Sequence, residues 1–288
     1  MSLIRKERPL LIYLLNNQVM YLSIITPSWN SASTIEDCVM SVINQHITNF
    51  EHIIVDNLSS DNTLALIKSI YHQEGLLNNL RIICEKDSGI AEAFNKGIEA
   101  SSGEIIGILN SDDKYYDETV LEKVTNCFED KNVLFVHGNI YFEDPVYGSN
   151  IRKPLLCPIT SAMPYNHPTM FFRKEVYKKY GRFDTGYNYA MDFEFICRLI
   201  NQIDDFYNKG IYLKGEPLVT MAGGGASWEN ELDSIEETRK ALRKYGYWNF
   251  DAKKNYKLRV LRTKLKIFLS KFGLNGIVKK WRKRKWKK

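Results

Sequence analysis

Residues 104–113 read Glu104-Ile105-Ile106-Gly107-Ile108-Leu109-Asn110-Ser111-Asp112-Asp113, an apolar run of strand length that passes straight into a polar turn with two adjacent carboxylates. A short run without polar alternation reads as a strand covered on both faces, which is the habit of parallel sheets. The flanking sequence repeats the theme. Residues 21–26 form a β-branched run closed by Pro27, residues 51–56 read EHIIVD, and residues 81–84 and 133–136 are further short apolar runs. Between them lie helical stretches: one opening at Ser33-Thr34-Ile35-Glu36, one from Asp61 to about Gln73, then 89–100 and 118–128. Strands alternating with helices of this length predict an α/β fold with a mostly parallel central sheet flanked by helices. In such sheets ligands gather at the carboxyl ends of the strands. Asp56, Asp87 and Asp112/Asp113 stand at three of those ends.

The second half is less regular. Residues 167–172 read as a strand, 188–200 as an amphipathic helix with Asp192 near its start, and 219–227 as a segment ending in the mobile-loop run Gly223-Gly224-Gly225. No internal repeat is evident. The expected organisation is an N-terminal extension (1–19), one domain (20–250) with a first half 20–140 and a second half 141–250, and a basic tail (251–288).

The 288 residues, 44% of them hydrophobic, are enough for a full core. The formal charge of +6 hides a division. Of the 40 Lys and Arg, 16 lie after Ala252, where there is no Asp or Glu; residues 1–252 keep 24 basic and 34 acidic side chains, a net of −10. The five cysteines (Cys38, Cys84, Cys127, Cys157, Cys197) form no C-x-x-C pair, so neither a disulfide framework nor a zinc site is indicated. The apolar run Pro9 to Leu15 is too short to cross a bilayer and carries no small-residue cleavage site after it. The expected compartment is the cytoplasm.

Several residues carry two readings each. Asp112 and Asp113, after a wholly apolar strand, suit a hard divalent cation that bridges nucleotide phosphates, or an ordinary surface turn. Asp56 suits a hydrogen bond from a uracil N–H, or a helix cap. Trp29 suits stacking on a base, or core packing. Asp192, near a helix start, suits a cap of its own helix.

Taken together, Ser23-Ile24-Ile25-Thr26-Pro27-Ser28-Trp29-Asn30, Ile53-Ile54-Val55-Asp56-Asn57, Asp87-Ser88-Gly89-Ile90 with Asn95-Lys96-Gly97, and Gly103-Glu104 with Leu109 to Asp113 resemble the nucleotide-binding half of the family 2 glycosyltransferases. Asn166-His167-Pro168-Thr169, Gly181-x-Phe183-Asp184 and Ala190-Met191-Asp192-Phe193-Glu194 resemble its acceptor half, over about residues 20–230 in all. The Gly89 to Gly97 segment together with Leu109 to Asp113 is most similar to the branch that builds O-antigen and related surface polysaccharides.

The resemblance implies a GT-A-type fold and an inverting transfer of one sugar from a UDP-sugar, with Mn2+ or Mg2+ as cofactor. It implies a nucleotide-sugar site at Pro27, Trp29, Asp56, Asp87, Asn95, Lys96, Asp112 and His167. It makes Asp113 the direct metal ligand, with Asp112 beside it, and Asp192 the catalytic base. The implied acceptor is a polyprenyl-diphosphate-linked saccharide at the inner face of the cytoplasmic membrane. This chain departs from many relatives at Asn57, Asn110 and Phe94, where they carry Asp, Asp and Arg. It lacks the Q-x-x-R-W signature of processive synthases. A nucleotidyltransferase making nucleotide sugars is the rival enzyme, but its Gly-rich phosphate loop is missing from Thr26–Asn30. A non-catalytic membrane or nucleic-acid adaptor is the rival from another class, and nothing in the body resembles a nucleic-acid reader.

The tail places Leu258, Leu261, Leu265, Phe268/Leu269 and Phe272 at helical spacing among Lys and Arg, and ends Trp281-Arg282-Lys283-Arg284-Lys285-Trp286-Lys287-Lys288. This pattern predicts a basic amphipathic helix lying on an anionic membrane. A helix packed on the body and a solvated basic end are the other readings.

Overall fold

The computed structural model describes residues 22–144, 148–225, 230–272 and 276. The extension 1–19 and the Trp-flanked end at 281–288 lie outside the described residues. Eleven strands and eight α-helices are seen among them. The first half runs β1 (Leu22–Ser28), α1 (Ile35–Ile43), β2 (Phe50–Asp56), α2 (Thr63–Gln73), β3 (Leu80–Cys84), α3 (Ile90–Ala100), β4 (Ile105–Ile108), β5 (Lys114–Tyr115), α4 (Val120–Cys127) and β6 (Phe135–Gly138). The rest comprises β7 (Ile140–Glu143), β8 (Asn150–Arg152), β9 (Phe171–Arg173), α5 (Lys174–Tyr180), α6 (Met191–Gln202), β10 (Gly210–Leu213), β11 (Val219–Ala222), α7 (Glu231–Lys244) and α8 (Phe250–Lys271).

Seven strands form the main sheet in the order β10-β6-β9-β4-β1-β2-β3. Neighbours are parallel except β9, which runs antiparallel to both β4 and β6. The central sheet is therefore mostly parallel, as expected, and its helices cover both faces. Alternation along β1 and β2 sorts the core. Ile24 and Ile54 pack with Ile35, Cys38, Val39 and Val42 of α1, whereas Ile25, Ile53 and Val55 pack with Phe94 and Ile98 of α3. α3 crosses β1 so closely that a Cβ at Gly97 would overlap the Ile25 side chain. Gly97 is required for that contact. On the opposite face, buried His52 joins Thr26 (2.9 Å) to Tyr71 (2.6 Å), and burial pulls its pKa down to about 3, so it stays neutral.

A smaller sheet, β5-β11-β7-β8, lies beyond β4. Both parts of 20–250 contribute to the main sheet, because β9 and β10 pair with β6. The halves thus share a single scaffold.

Several boundaries differ from the sequence reading, three of them near or beyond the second half's contributions to the site. Residues 167–172 are not one strand: His167–Thr169 form a 3-10 turn and β9 starts at Phe171. Pro168 has no N–H to give a ladder, which ends the strand there. The helix expected over 188–200 begins at Met191. The tail is not separate from the body, since α8 begins at Phe250 and buries Ala252 and Thr263.

Candidate active site

The sheet order reverses at β1, with β4 on one side and β2, which follows it in sequence, on the other. Such a switch point opens a crevice at the carboxyl ends of the strands. β1 pairs with β4 only through Ile25, while its pairing with β2 continues to Ser28 opposite Asp56. Pro27, which lacks an N–H, stands where the β4 side has already ended. The crevice is flanked by Pro27-Ser28-Trp29 from β1 and by Asn110-Ser111-Asp112-Asp113 after β4. The Ser31 and Ser111 hydroxyls, 2.9 Å apart, tie the two rims together. Trp29 is 65% exposed, so it is not a core residue.

The two carboxylates after β4 are held differently. Asp112 is exposed. Asp113 is buried, with Oδ1 accepting from the Ala222 N–H (3.1 Å) and Oδ2 from Asn110 Nδ2 (3.2 Å). Burial first, and the neighbouring Asp112 charge second, push the Asp113 pKa up to about 7. Asp113 pins the end of β11 where the glycine run Gly223-Gly224-Gly225 begins, and Gly224 and Gly225 have φ of 126° and 87°. Of the two acids, Asp112 is open to solvent and Asp113 is tied into the turn.

A divalent cation fits this turn. Asn110 Oδ1 is buried and takes no hydrogen bond among the described residues. An unfilled amide oxygen and an open carboxylate on one turn are hard donors of the type Mg2+ and Mn2+ accept. No group of three or more His, Cys, Asp and Glu placed to hold a metal occurs among the described residues.

At the ends of β2 and β3 the residues named from the sequence are held by protein partners. Asp56 is completely buried. Its carboxylate accepts from Ser28 Oγ (2.7 Å), Ser59 Oγ (2.6 Å) and the Ser59 N–H (2.8 Å). These bonds fasten the β2–α2 turn to β1, and Oδ1 takes only the Ser59 N–H and a 3.7 Å contact from the Cys84 thiol. Asn95 is also engaged: its amide pairs with the Phe183 backbone in both directions, at 2.8 and 2.9 Å, which joins α3 to the second half. Lys96 forms ion pairs with Glu85 (3.1 Å) and Glu92 (3.2 Å) on its own side of the sheet. Asp87 is half-buried at the rim, where burial raises its pKa, and its backbone N–H is held by Asn57 (2.9 Å).

The second half reaches the same edge through β9. Because β9 is antiparallel to β4, the 3-10 turn before it lies at the carboxyl end of β4, next to the Asp112 turn. His167 stands in that turn against Phe94 and Phe183, with ring centroids 6.1 and 5.9 Å away. Burial lowers the His167 pKa, and the Asp192 carboxylate acts on it in the opposite direction. The fold thus brings Asp192, His167 and Asp112 to one edge. Phe94 is buried beneath His167, so it supplies packing and no charge at this place.

Asp192 is the second residue of α6 and is half-buried between buried Met191 and Phe193. No side chain caps α6 at Ala190. Glu237 of α7 fastens the segment that leads into the helix, accepting from the N–H groups of Asn188 (2.8 Å), Tyr189 (2.8 Å) and Ala190 (2.9 Å). Asp192 Oδ1 takes only the Phe193 N–H, at 2.7 Å, and its Oδ2 takes no hydrogen bond among the described residues. Glu194, the next carboxylate, is fully buried against Arg198 (2.8 Å), Lys244 (3.2 Å) and the Tyr245 hydroxyl. Glu237 was not singled out by the sequence reading, and Glu194 stood there only in the motif that it closes. Arg198 is four residues on in α6, whereas Glu237 and Lys244 of α7, and Tyr245 just after it, lie far along the chain, where no local spacing announces them.

A family model described as "Glycosyl transferase family 2" matches residues 23–199. The chain belongs to glycosyl transferase family 2. This family 2 glycosyltransferase is 28% identical over 299 residues to the hyaluronan synthase of Pasteurella multocida, an alignment covering 92% of this chain and 30% of that one. It is 27% identical over 245 residues to the chondroitin synthase of Escherichia coli, covering 80% of this chain and 34% of the relative. It therefore spans about a third of the length of those two proteins. Among solved structures it is similar to Staphylococcus aureus TarS 1–349 in complex with UDP, with a TM-score of 0.62 at 18% identity over 77% of this chain and 65% of that one. It is also similar to the mannosyltransferase PcManGT from Pyrobaculum calidifontis in complex with GDP-Man and Mn2+, with a TM-score of 0.57 at 14% identity over 93% and 88%. At these identities the likeness establishes the shared GT-A fold.

Proposed function

We propose that the protein transfers a single sugar from a UDP-sugar to a saccharide acceptor with inversion at the anomeric carbon, in the assembly of a surface polysaccharide. The observation that carries this reading is the meeting of two kinds of carboxylate at one sheet edge: open Asp112 from the first half and uncommitted Asp192 from the second. The acceptor we propose is a saccharide carried on a lipid diphosphate, at the inner face of the cytoplasmic membrane.

Asp112 and Asn110 Oδ1 would hold a Mn2+ or Mg2+ ion against the donor diphosphate. When bound, that ion offsets the negative charge that grows on the departing nucleotide. The Trp29 indole is free to lie on the nucleobase or ribose, and Asp87 at the adjoining rim can accept from a donor hydroxyl or base N–H. Asp192 Oδ2 takes the proton of the acceptor hydroxyl as its oxygen attacks the anomeric carbon, while the bond from that carbon to the diphosphate oxygen breaks. His167, packed against Phe94 and Phe183, stands beside the Asp192 carboxylate, whose charge acts on it.

A panel of UDP- and GDP-sugars, offered with Mn2+ or Mg2+ and assayed for nucleoside diphosphate release, tests this reading. Release is expected from at least one UDP-sugar and is expected to stop in excess chelator. Release that persists in chelator, or that occurs only from GDP-sugars, would overturn the donor and metal assignment.

A further inference from the structure

The helix α8 is attached to the body by one face only. On that face Ala252 and Thr263 are buried, Asn255 donates to the Thr160 carbonyl (3.3 Å), the Tyr256 hydroxyl donates to Glu236 (2.9 Å), and Thr263 and Lys266 both bond Glu231 of α7. The opposite face carries Leu258, Leu261, Leu265, Phe268 and Phe272, in steps of three and four residues that place them in one stripe. All five are exposed, Leu261 by 65% and Phe272 by 66%. No other described helix has a comparable row of exposed large apolar side chains.

Charge decides what such a stripe meets. Lys254, Lys257, Arg262, Lys264 and Lys271 are exposed around it, and residues 253–272 contain no Asp or Glu. Pairing two copies stripe to stripe would bring two like-charged arrays together. An anionic lipid surface offers both an apolar phase for Leu and Phe and negative headgroups for the flanking lysines, whose alkyl stems extend toward the interface. No helix among the described residues is long and apolar enough to cross a membrane, so the matching geometry is a helix lying in the plane of the interface.

We propose that α8 is an in-plane docking helix for an anionic bilayer. It packs on α7, which packs on α6, the helix bearing Asp192. Docking through α8 therefore turns the second half of the molecule, and not the β3 side of the sheet, toward the lipid. The inference goes beyond sugar transfer, and binding of the donor-free protein measures it independently of any turnover.

The test is co-sedimentation of the full chain with phosphatidylcholine vesicles made with and without phosphatidylglycerol, alongside the solution mass by light scattering. Binding is expected only to the anionic vesicles and is expected to weaken in high salt. The double variant Leu261→Asp/Phe268→Asp alters only exposed positions. It should keep the wild-type melting temperature and lose vesicle binding. Lys257→Glu and Lys264→Glu should each weaken binding by about fivefold or more. Undiminished binding of the Leu261→Asp/Phe268→Asp protein would overturn the proposal. So would wild-type protein that ignores anionic vesicles, or a solution dimer that this double variant dissolves.

Discussion

Asp192→Asn is expected to lower kcat by roughly 10²–10⁴, with donor affinity and melting temperature close to wild type. The amide keeps the shape of the side chain and can still accept from the Phe193 N–H at 2.7 Å. What it loses is the capacity to take a proton. A capping role would predict the opposite pattern, a loss of stability with turnover per folded molecule unchanged. The structure makes these outcomes separable because Glu237 holds the three N–H groups that lead into α6. Glu237→Gln should therefore show the structural phenotype that Asp192→Asn does not. Steady-state kinetics and thermal melts on the two variants, side by side, decide between the readings. Glu194 cannot substitute as base, since Arg198, Lys244 and Tyr245 all claim its buried carboxylate.

Asp112→Asn is expected to act as chelation does, with turnover falling by roughly 10²–10³, the usual cost of removing a group that offsets charge on a leaving oxygen. Its exposed side chain supports no part of the fold, so stability should be retained. Asp113→Asn is expected to behave differently. Its Oδ2 accepts from the Asn110 amide, and an NH2 group at that place would set donor against donor. The consequence is a loosened β11 end and glycine run, read as a lower melting temperature together with reduced activity. Equal turnover of Asp112→Asn and wild type in saturating Mn2+ would remove this carboxylate from the metal site.

The fold was legible because its signals are local. Apolar runs such as Ile105 to Leu109 and the EHIIVD segment have strand length and no alternation, and polar turns punctuate them. The edge at which ligands gather followed from that pattern alone. The antiparallel insertion of β9 between β4 and β6 did not, because strand direction depends on pairing partners far apart in sequence. Pro168 was a visible sign that the strand had to start later. Among the site residues, types were easier to find than tasks. Asp56, Asn95 and Lys96 all lie where a nucleotide-binding motif would put them. Their side chains nevertheless spend their hydrogen bonds on Ser28 and Ser59, on Phe183, and on Glu85 and Glu92. The adjacency of Asp112 and Asp113 likewise concealed that one faces the crevice and the other the interior. Such differences arise from tertiary contacts, which one strand of sequence does not encode locally. The tail shows the same limit: its helical spacing was plain, but which face is used by α7 and which is left bare emerged only from the packing.

The measurement that bears most directly on the central claim is the anomeric configuration of the product. The wild-type protein would be incubated with a UDP-sugar that it turns over, Mn2+ and a saccharide acceptor, and the first-formed product followed by proton NMR. A single carboxylate base at Asp192, with no protein nucleophile behind the sugar, predicts a product whose anomeric centre is inverted relative to the donor. A product with the donor's configuration retained would contradict the account.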